Sequence, residues 1–116
     1  MLELEELKKR VIDAIEDVKG IDLCVLDVKG KTSVTDVMII VSGNTSRQVR
    51  AIANNIVMEV KKSGHPPLGA EGEEYGEWAL IDLGDIIVHV MQPSIRDFYN
   101  LEKLWGEDSP AAADEA

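Results

Sequence analysis

Residues 78–91, WALIDLGDIIVHVM, decide the architecture of this chain. They form two runs of apolar and β-branched residues on either side of Gly84 and Asp85, a pair with glycine first that is typical of a two-residue β-hairpin turn. With this turn, Leu83 pairs with Ile86 and the pairing continues outward along both strands. Because side chains alternate between the faces of a strand, one face of the hairpin is wholly apolar and is predicted to be core.

The other face of the hairpin is mixed and has two interpretations. It carries Trp78, Leu80, Asp82, Ile87, His89 and Met91. A tryptophan among aliphatic side chains is typical of a protein-binding surface, on which Trp78 would be an anchor and Asp82 would meet a basic partner. Alternatively, the last helix of the chain covers this face with Phe98, Leu101 and Trp105. The pattern leaves both interpretations open.

The segments before the hairpin predict two helices and two strands. Apolar residues at three- and four-residue spacing predict an amphipathic helix over residues 2–18 and a second one after Thr45, whose hydroxyl and the following Gln48 fit a capping box. Residues 21–28 read as a strand. Residues 37–41, VMIIV, are apolar on both faces, as in a central strand.

The segments around and after the hairpin complete the predicted order α-β-β-α-β-β-α. Residues 64–76, rich in glycine, are expected to lack regular structure, and Pro93 begins a short last helix. The fold class is therefore α/β (α+β), a single small domain with a mixed β-sheet and flanking helices. We predict a domain over residues 1–105 and an acidic disordered tail over residues 106–116.

Composition restricts the setting and the partners. The chain has 116 residues and a formal net charge of −10, with one cysteine, Cys24, which excludes an internal disulfide. Acidic residues in the first twenty positions argue against a targeting peptide, and no apolar run is long enough to cross a bilayer. We therefore expect a cytoplasmic protein with no membrane association. The negative charge disfavours direct binding of nucleic acid and would steer a basic protein partner towards the chain. Taken by itself, however, such acidity is better explained by solubility alone.

Residues that would indicate catalysis or metal binding do not occur in a recognisable pattern. The strand–turn–helix around Ser42 and Gly43 resembles a phosphate cradle only weakly, and Asp82 and Asp85 bracket a turn instead of converging. The histidines and Cys24 share no ligand spacing, so no metal site and no cofactor are predicted. The acidic cluster Glu71, Glu73, Glu74 and Glu77 is interpreted as a solvated loop face.

Three blocks of sequence resemble the ribosomal silencing factor family, also called the Iojap family. They are residues 42–56, SGNTSRQVRAIANNI, residues 71–93, EGEEYGEWALIDLGDIIVHVMQP, and residues 96–105, RDFYNLEKLW. The resemblance covers about Leu4 to Trp105, with one departure: the segment Asp36-Val37-Met38 lacks the aromatic residue that the family often has there.

The resemblance implies a translational repressor that is not an enzyme. Members of this family have a fold similar to nucleotidyltransferases without the catalytic apparatus, and they tend to form homodimers. They bind large-subunit ribosomal protein number fourteen on the intersubunit face. This binding prevents subunit association when nutrients are short. Carried over by position, the partner-binding residues are Trp78, Asp82, His89, Arg96, Tyr99, Leu101 and Trp105, to which Leu80 and Met91 are added as apolar neighbours of Trp78. A bond between the last helix and the sheet would explain Arg96 and Tyr99 equally well. The alternatives are a nucleotide-binding or nucleotidyltransferase enzyme that uses Ser42, Gly43, Asp82 and Asp85, or a plain dimerisation module.

Overall fold

The structure is a computed structural model that describes residues 3–72 and 74–105, without the side chains of residues 104 and 105. The predicted tail, residues 106–116, lies outside the described residues. The helices and strands, in chain order, are α1 (Leu4–Asp17), β1 (Ile21–Asp27), β2 (Val37–Ser42), α2 (Ser46–Lys62), β3 (Gly69–Glu71), β4 (Trp78–Asp82), β5 (Ile86–Met91), α3 (Pro93–Tyr99) and α4 (Leu101–Trp105).

The five strands form one mixed sheet in the order β1-β2-β5-β4-β3. β2 pairs antiparallel with β1 and parallel with β5, while β4 pairs antiparallel with β5 and β3. All six residues of β2 are buried, which confirms that it is a central strand. The hairpin register is also confirmed, from Trp78 opposite Met91 to Asp82 opposite Ile87, with Gly84 at a positive φ of 87° in the turn.

Two parts of the predicted element order are wrong. The segment over residues 64–76 is not wholly irregular, because Gly69–Glu71 pairs with β4 and forms the edge strand β3. The last helix is two helices, because Asn100 adopts the left-handed conformation (φ 49°, ψ 55°) between α3 and α4. A left-handed residue ends an α-helix and turns the chain, so the residues on either side of Asn100 do not share one helix face.

The core lies between one face of the sheet and the two long helices. α1 and α2 pack on this face, and their buried side chains meet the apolar face of the hairpin. The cap of α2 is the predicted one, since the Thr45 hydroxyl accepts a hydrogen bond from the Gln48 amide at 3.0 Å. The Gln48 side chain accepts from the Asn44 amide at 2.8 Å, one residue earlier than in a strict capping box.

A smaller apolar cluster lies on the opposite face of the sheet. Its buried members are Val28, Met38, Ile40 and Met91, and its partly buried members are Cys24, Leu26, Trp78, Ile95 and Leu101. Here α3 and α4 cover the β1–β2 side, and β3 and β4 continue the sheet beyond them. This uneven cover places the candidate site. No helix within the described residues is both long and apolar enough to span a membrane.

Candidate functional site

The mixed face of the hairpin is covered at one side and open at the other, so the last helices cover only part of it. Met91 is 0% exposed beneath the last helices, whereas Trp78, Leu80 and Asp82 on β4 are half-buried. We call the open part, with the aromatic side chains of α3 beside it, the Trp78 face. Its residues are Glu71 of β3, Trp78, Leu80 and Asp82 of β4, Ile87 of β5, and Phe98 and Tyr99 of α3.

Two contacts hold the Trp78 indole in place. Its Nε1 donates a hydrogen bond to His89 Nδ1 at 3.0 Å, and the Tyr99 ring lies at a centroid distance of 4.8 Å. Because the indole N–H donates to Nδ1, that nitrogen must be the unprotonated one, and His89 is neutral. Burial lowers the pKa of His89 from 6.5 to about 4, which favours the same state. The chain's own side chains therefore hold the Trp78 indole in place.

The aromatic surface extends from Trp78 to Phe98, which the sequence-based prediction did not place there. The Phe98 and Tyr99 rings meet edge to face at 5.1 Å, and Phe98 is 80% exposed. The prediction that Phe98 covers the sheet is thus wrong. Helical spacing could not locate it, because the break at Asn100 separates Phe98 from Leu101, which does pack on the sheet.

Arg96 and Met91, predicted as partner contacts, lie below the surface. Arg96 is 8% exposed; its Nε donates to Glu102 Oε1 at 2.6 Å and its Nη1 donates to Ser42 Oγ at 2.9 Å. The hydrogen bond from Arg96 to Glu102 raises the pKa of Arg96, against the opposing effect of burial. Arg96 therefore ties α3 and α4 to β2 and acts as a positioning residue, and the buried Met91 is a core residue.

The remaining predicted residues divide between the surface and the supporting structure. Asp82 uses Oδ1 to accept a hydrogen bond from the Gly84 amide at 2.9 Å, which stabilises the hairpin turn. His89 supports Trp78 from a buried position, and Leu101 packs in the smaller cluster. The Trp105 side chain lies outside the described residues.

The residues proposed for a nucleotidyltransferase have structural contacts. Ser42 binds Arg96, a Cβ on Gly43 would lie 2.9 Å from the Val49 amide nitrogen of α2, and Asp82 caps the hairpin turn. In residues 3–72 and 74–105, no group of three or more histidine, cysteine, aspartate or glutamate side chains is arranged to hold a metal ion. Ser42, Gly43 and Asp82 are thus engaged in contacts that support the fold.

Comparison with known proteins gives concordant matches. The family model described as "Ribosomal silencing factor during starvation" matches residues 2–116. A protein of Chromobacterium violaceum named ribosomal silencing factor RsfS is 45% identical over 112 residues, which cover 97% of this chain and 92% of the relative. Its namesake in Haemophilus influenzae is 46% identical over 95 residues, 82% and 93% of the two chains. A crystal structure of a C. violaceum protein superposes with a TM-score of 0.89 at 45% identity, covering 94% and 91%.

Proposed function

Because this chain belongs to the ribosomal silencing factor family, we propose that it represses translation by occupying the intersubunit side of the large ribosomal subunit. The Trp78 face binds a basic protein there, large-subunit ribosomal protein number fourteen, and the bound domain blocks approach of the small subunit. In this role the chain acts by steric exclusion and not by catalysis. It acts in the cytoplasm, under nutrient limitation, as the family description "during starvation" suggests.

One observation carries the proposal: an open aromatic surface, supported from below, on a strongly acidic chain. Tryptophan and tyrosine dominate the energetics of protein interfaces, because they bury a large area while losing little conformational entropy. Here Phe98 and Tyr99 are exposed beside the half-buried Trp78, and the hydrogen bond to His89 pre-organises the indole. A surface that is ordered before binding avoids much of the entropic cost of association.

Charge selects the class of partner on the ribosome. With a net charge of −10, the chain is repelled by ribosomal RNA and attracted to a basic ribosomal protein. Asp82, and Glu71 on the neighbouring strand, add negative charge at the Trp78 face itself. We therefore assign most of the affinity to protein contacts and none to phosphate recognition.

The test compares two apolar truncations on opposite faces of the sheet. Phe98→Ala removes an exposed ring of the Trp78 face; Met58→Ala removes an exposed side chain of α2. We choose Phe98 over Trp78 because Trp78 also packs in the smaller apolar cluster, so its truncation would disturb folding. In co-sedimentation with purified large subunits, Phe98→Ala should weaken binding about tenfold, and Met58→Ala should stay within about twofold of the wild type.

Light scattering on mixing the two subunits measures the blocking step. Saturating wild-type protein should abolish the rise in scattering that accompanies subunit joining, and Phe98→Ala should need a proportionally higher concentration. Normal joining of subunits in the presence of saturating protein would refute steric blocking. Equal affinities of the Phe98→Ala and Met58→Ala variants would show that the partner binds elsewhere.

Homodimerisation is part of the same proposal. A second copy that uses the aromatic surface would compete with the ribosome, so raising the protein concentration would weaken the apparent affinity of each chain by mass action. Sedimentation velocity of the wild type and of Phe98→Ala measures this. A dimer that persists unchanged in Phe98→Ala contradicts use of the Trp78 face for dimerisation.

A further inference from the structure

The Trp78 face contains a concavity with one wall that is aromatic and one that is acidic. It has a volume of about 220 Å³ and is lined by Glu71, Gly72, Trp78 and Leu80. Glu71 lies directly opposite Leu80 in the pairing of β3 with β4, so the two side chains project from the same face of the sheet. Leu80 is thus the direct cross-strand neighbour of Glu71 and lies two residues from Trp78 on the same face of β4.

Glu71 contributes an exposed carboxylate to this concavity. The carboxylate is exposed and makes no hydrogen bond or ion pair with any residue that the structure describes. Asp82, by contrast, uses an oxygen to cap the hairpin turn. The Glu71 carboxylate therefore keeps its full hydrogen-bonding capacity for a partner.

The backbone fixes the spacing of the two walls. Glu71 faces Leu80, and Trp78 precedes Leu80 by two residues on β4, so Glu71 and Trp78 are diagonal neighbours on adjacent antiparallel strands. Such neighbours lie roughly 7–8 Å apart. Gly72 follows β3 at a positive φ of 77°, and a Cβ at this position would collide with the Trp78 carbonyl oxygen. This close approach of the two backbones keeps the end of β3 against the start of β4.

We infer that this concavity receives one arginine side chain of the basic partner protein. The guanidinium plane lies against the Trp78 indole while its N–H groups donate to the Glu71 carboxylate. A guanidinium can stack within about 6 Å of an aromatic centroid and donate at about 2.8 Å to a carboxylate, and adjacent strands here present both partners on one face. The inference rests on the proposed function for the identity of the partner, but not for the chemistry of the site.

Arginine fits this concavity better than lysine does. An arginine has a planar, weakly hydrated head group that can stack on an indole and bind a carboxylate with two parallel hydrogen bonds at once. A lysine ammonium is compact and strongly hydrated, and it can satisfy only one of these two walls well. The aromatic wall is also rigid, because His89 and Tyr99 hold the indole from its other sides.

The test is a titration of the full-length chain with three small probes: N-acetyl-arginine amide, its lysine counterpart and its uncharged citrulline counterpart. The indole N–H resonance of Trp78, assigned by its loss in Trp78→Phe, reports binding in a ¹⁵N–¹H spectrum, and the rest of that spectrum reports folding. The arginine probe should shift this resonance in a saturable way, with the lysine probe weaker and the citrulline probe inactive.

Glu71→Gln and Glu74→Gln form a matched pair, since each removes one exposed negative charge from the same stretch of chain. Glu71→Gln should weaken the arginine probe and large-subunit binding about five- to tenfold, whereas Glu74→Gln should change both less than about twofold. Equal responses to arginine, lysine and citrulline, or equal effects of the two variants, would overturn the inference. A normal arginine response without subunit binding would leave the inference intact and refute the proposed function.

Discussion

The buried His89 should make the stability of this protein depend on pH, and His89→Asn should remove that dependence. His89 is 7% exposed and accepts a hydrogen bond from Trp78 through Nδ1. Protonation would convert this acceptor into a donor and place a charge in a buried site. In the His89→Asn variant, the side-chain oxygen of the introduced asparagine can accept the same hydrogen bond but does not titrate.

The size of the effect follows from the two pKa values of His89. Burial lowers the folded-state pKa to about 4, while the unfolded chain keeps a pKa near 6.5. Because the folded pKa is the lower one, the unfolded state binds more protons between these values, and the free energy of unfolding falls as pH falls through this window. From pH 7 to pH 5 the wild type should therefore lose about 2 kcal/mol through His89 alone.

Urea denaturation followed by far-ultraviolet circular dichroism at pH 7 and pH 5 measures this loss. The range ends at pH 5 because the isoelectric point is about 4.5. Carboxylates contribute equally to the wild type and to His89→Asn, so the difference between the two pH-dependent losses isolates His89. Losses of stability that agree within about 0.5 kcal/mol between the wild type and His89→Asn would refute the reasoning. Such agreement would mean that His89 is already charged at pH 7 or that water enters the site freely.

Two further predictions concern the cap of α2 and the ion pair that joins α3 to α4. Thr45→Ala should lower the free energy of unfolding by about 1 kcal/mol, since the Gln48 amide loses its cap; an unchanged urea midpoint would contradict this. Glu102→Gln should cost about 1–2 kcal/mol and accelerate amide exchange in α4, because the buried Arg96 loses its counter-charge. The pair of Glu5 with Lys8 is the control, because the Glu5 side chain is 81% exposed. Glu5→Gln should cost less than about 0.5 kcal/mol, and equal costs would show that the Arg96 pair is not special.

The residues that sequence reasoning placed correctly are those whose neighbours are set by local rules. Strict alternation and the turn at Gly84 determine which residues of the hairpin pair, and the observed register follows them throughout. The Thr45 cap is equally local. The bond from the Gln48 amide to the Thr45 hydroxyl and the bond from the Asn44 amide to the Gln48 side chain each join residues three or four positions apart. The similarity of the fold to nucleotidyltransferases, inferred from the family resemblance, stays a prediction.

The exposure of each candidate residue on the mixed face depended on packing at long range. Nothing in residues 69–71, GAE, favours a strand, and they form β3 only because the β4 edge offers backbone hydrogen bonds. That pairing brings Glu71 to the side of Leu80, where an apparently solvated loop acid becomes one wall of a concavity.

The sequence by itself determined the two long helices, four of the five strands, the hairpin register and the apolar face. The periods of strands and helices and the chemistry of turns are local properties of the chain. Only the tertiary structure decided how much of the opposite face stays open. A single left-handed residue, Asn100, turns the chain so that Leu101 packs on the sheet while Phe98 points to solvent. Such a break depends on the balance of contacts on both sides of it, which no local pattern encodes.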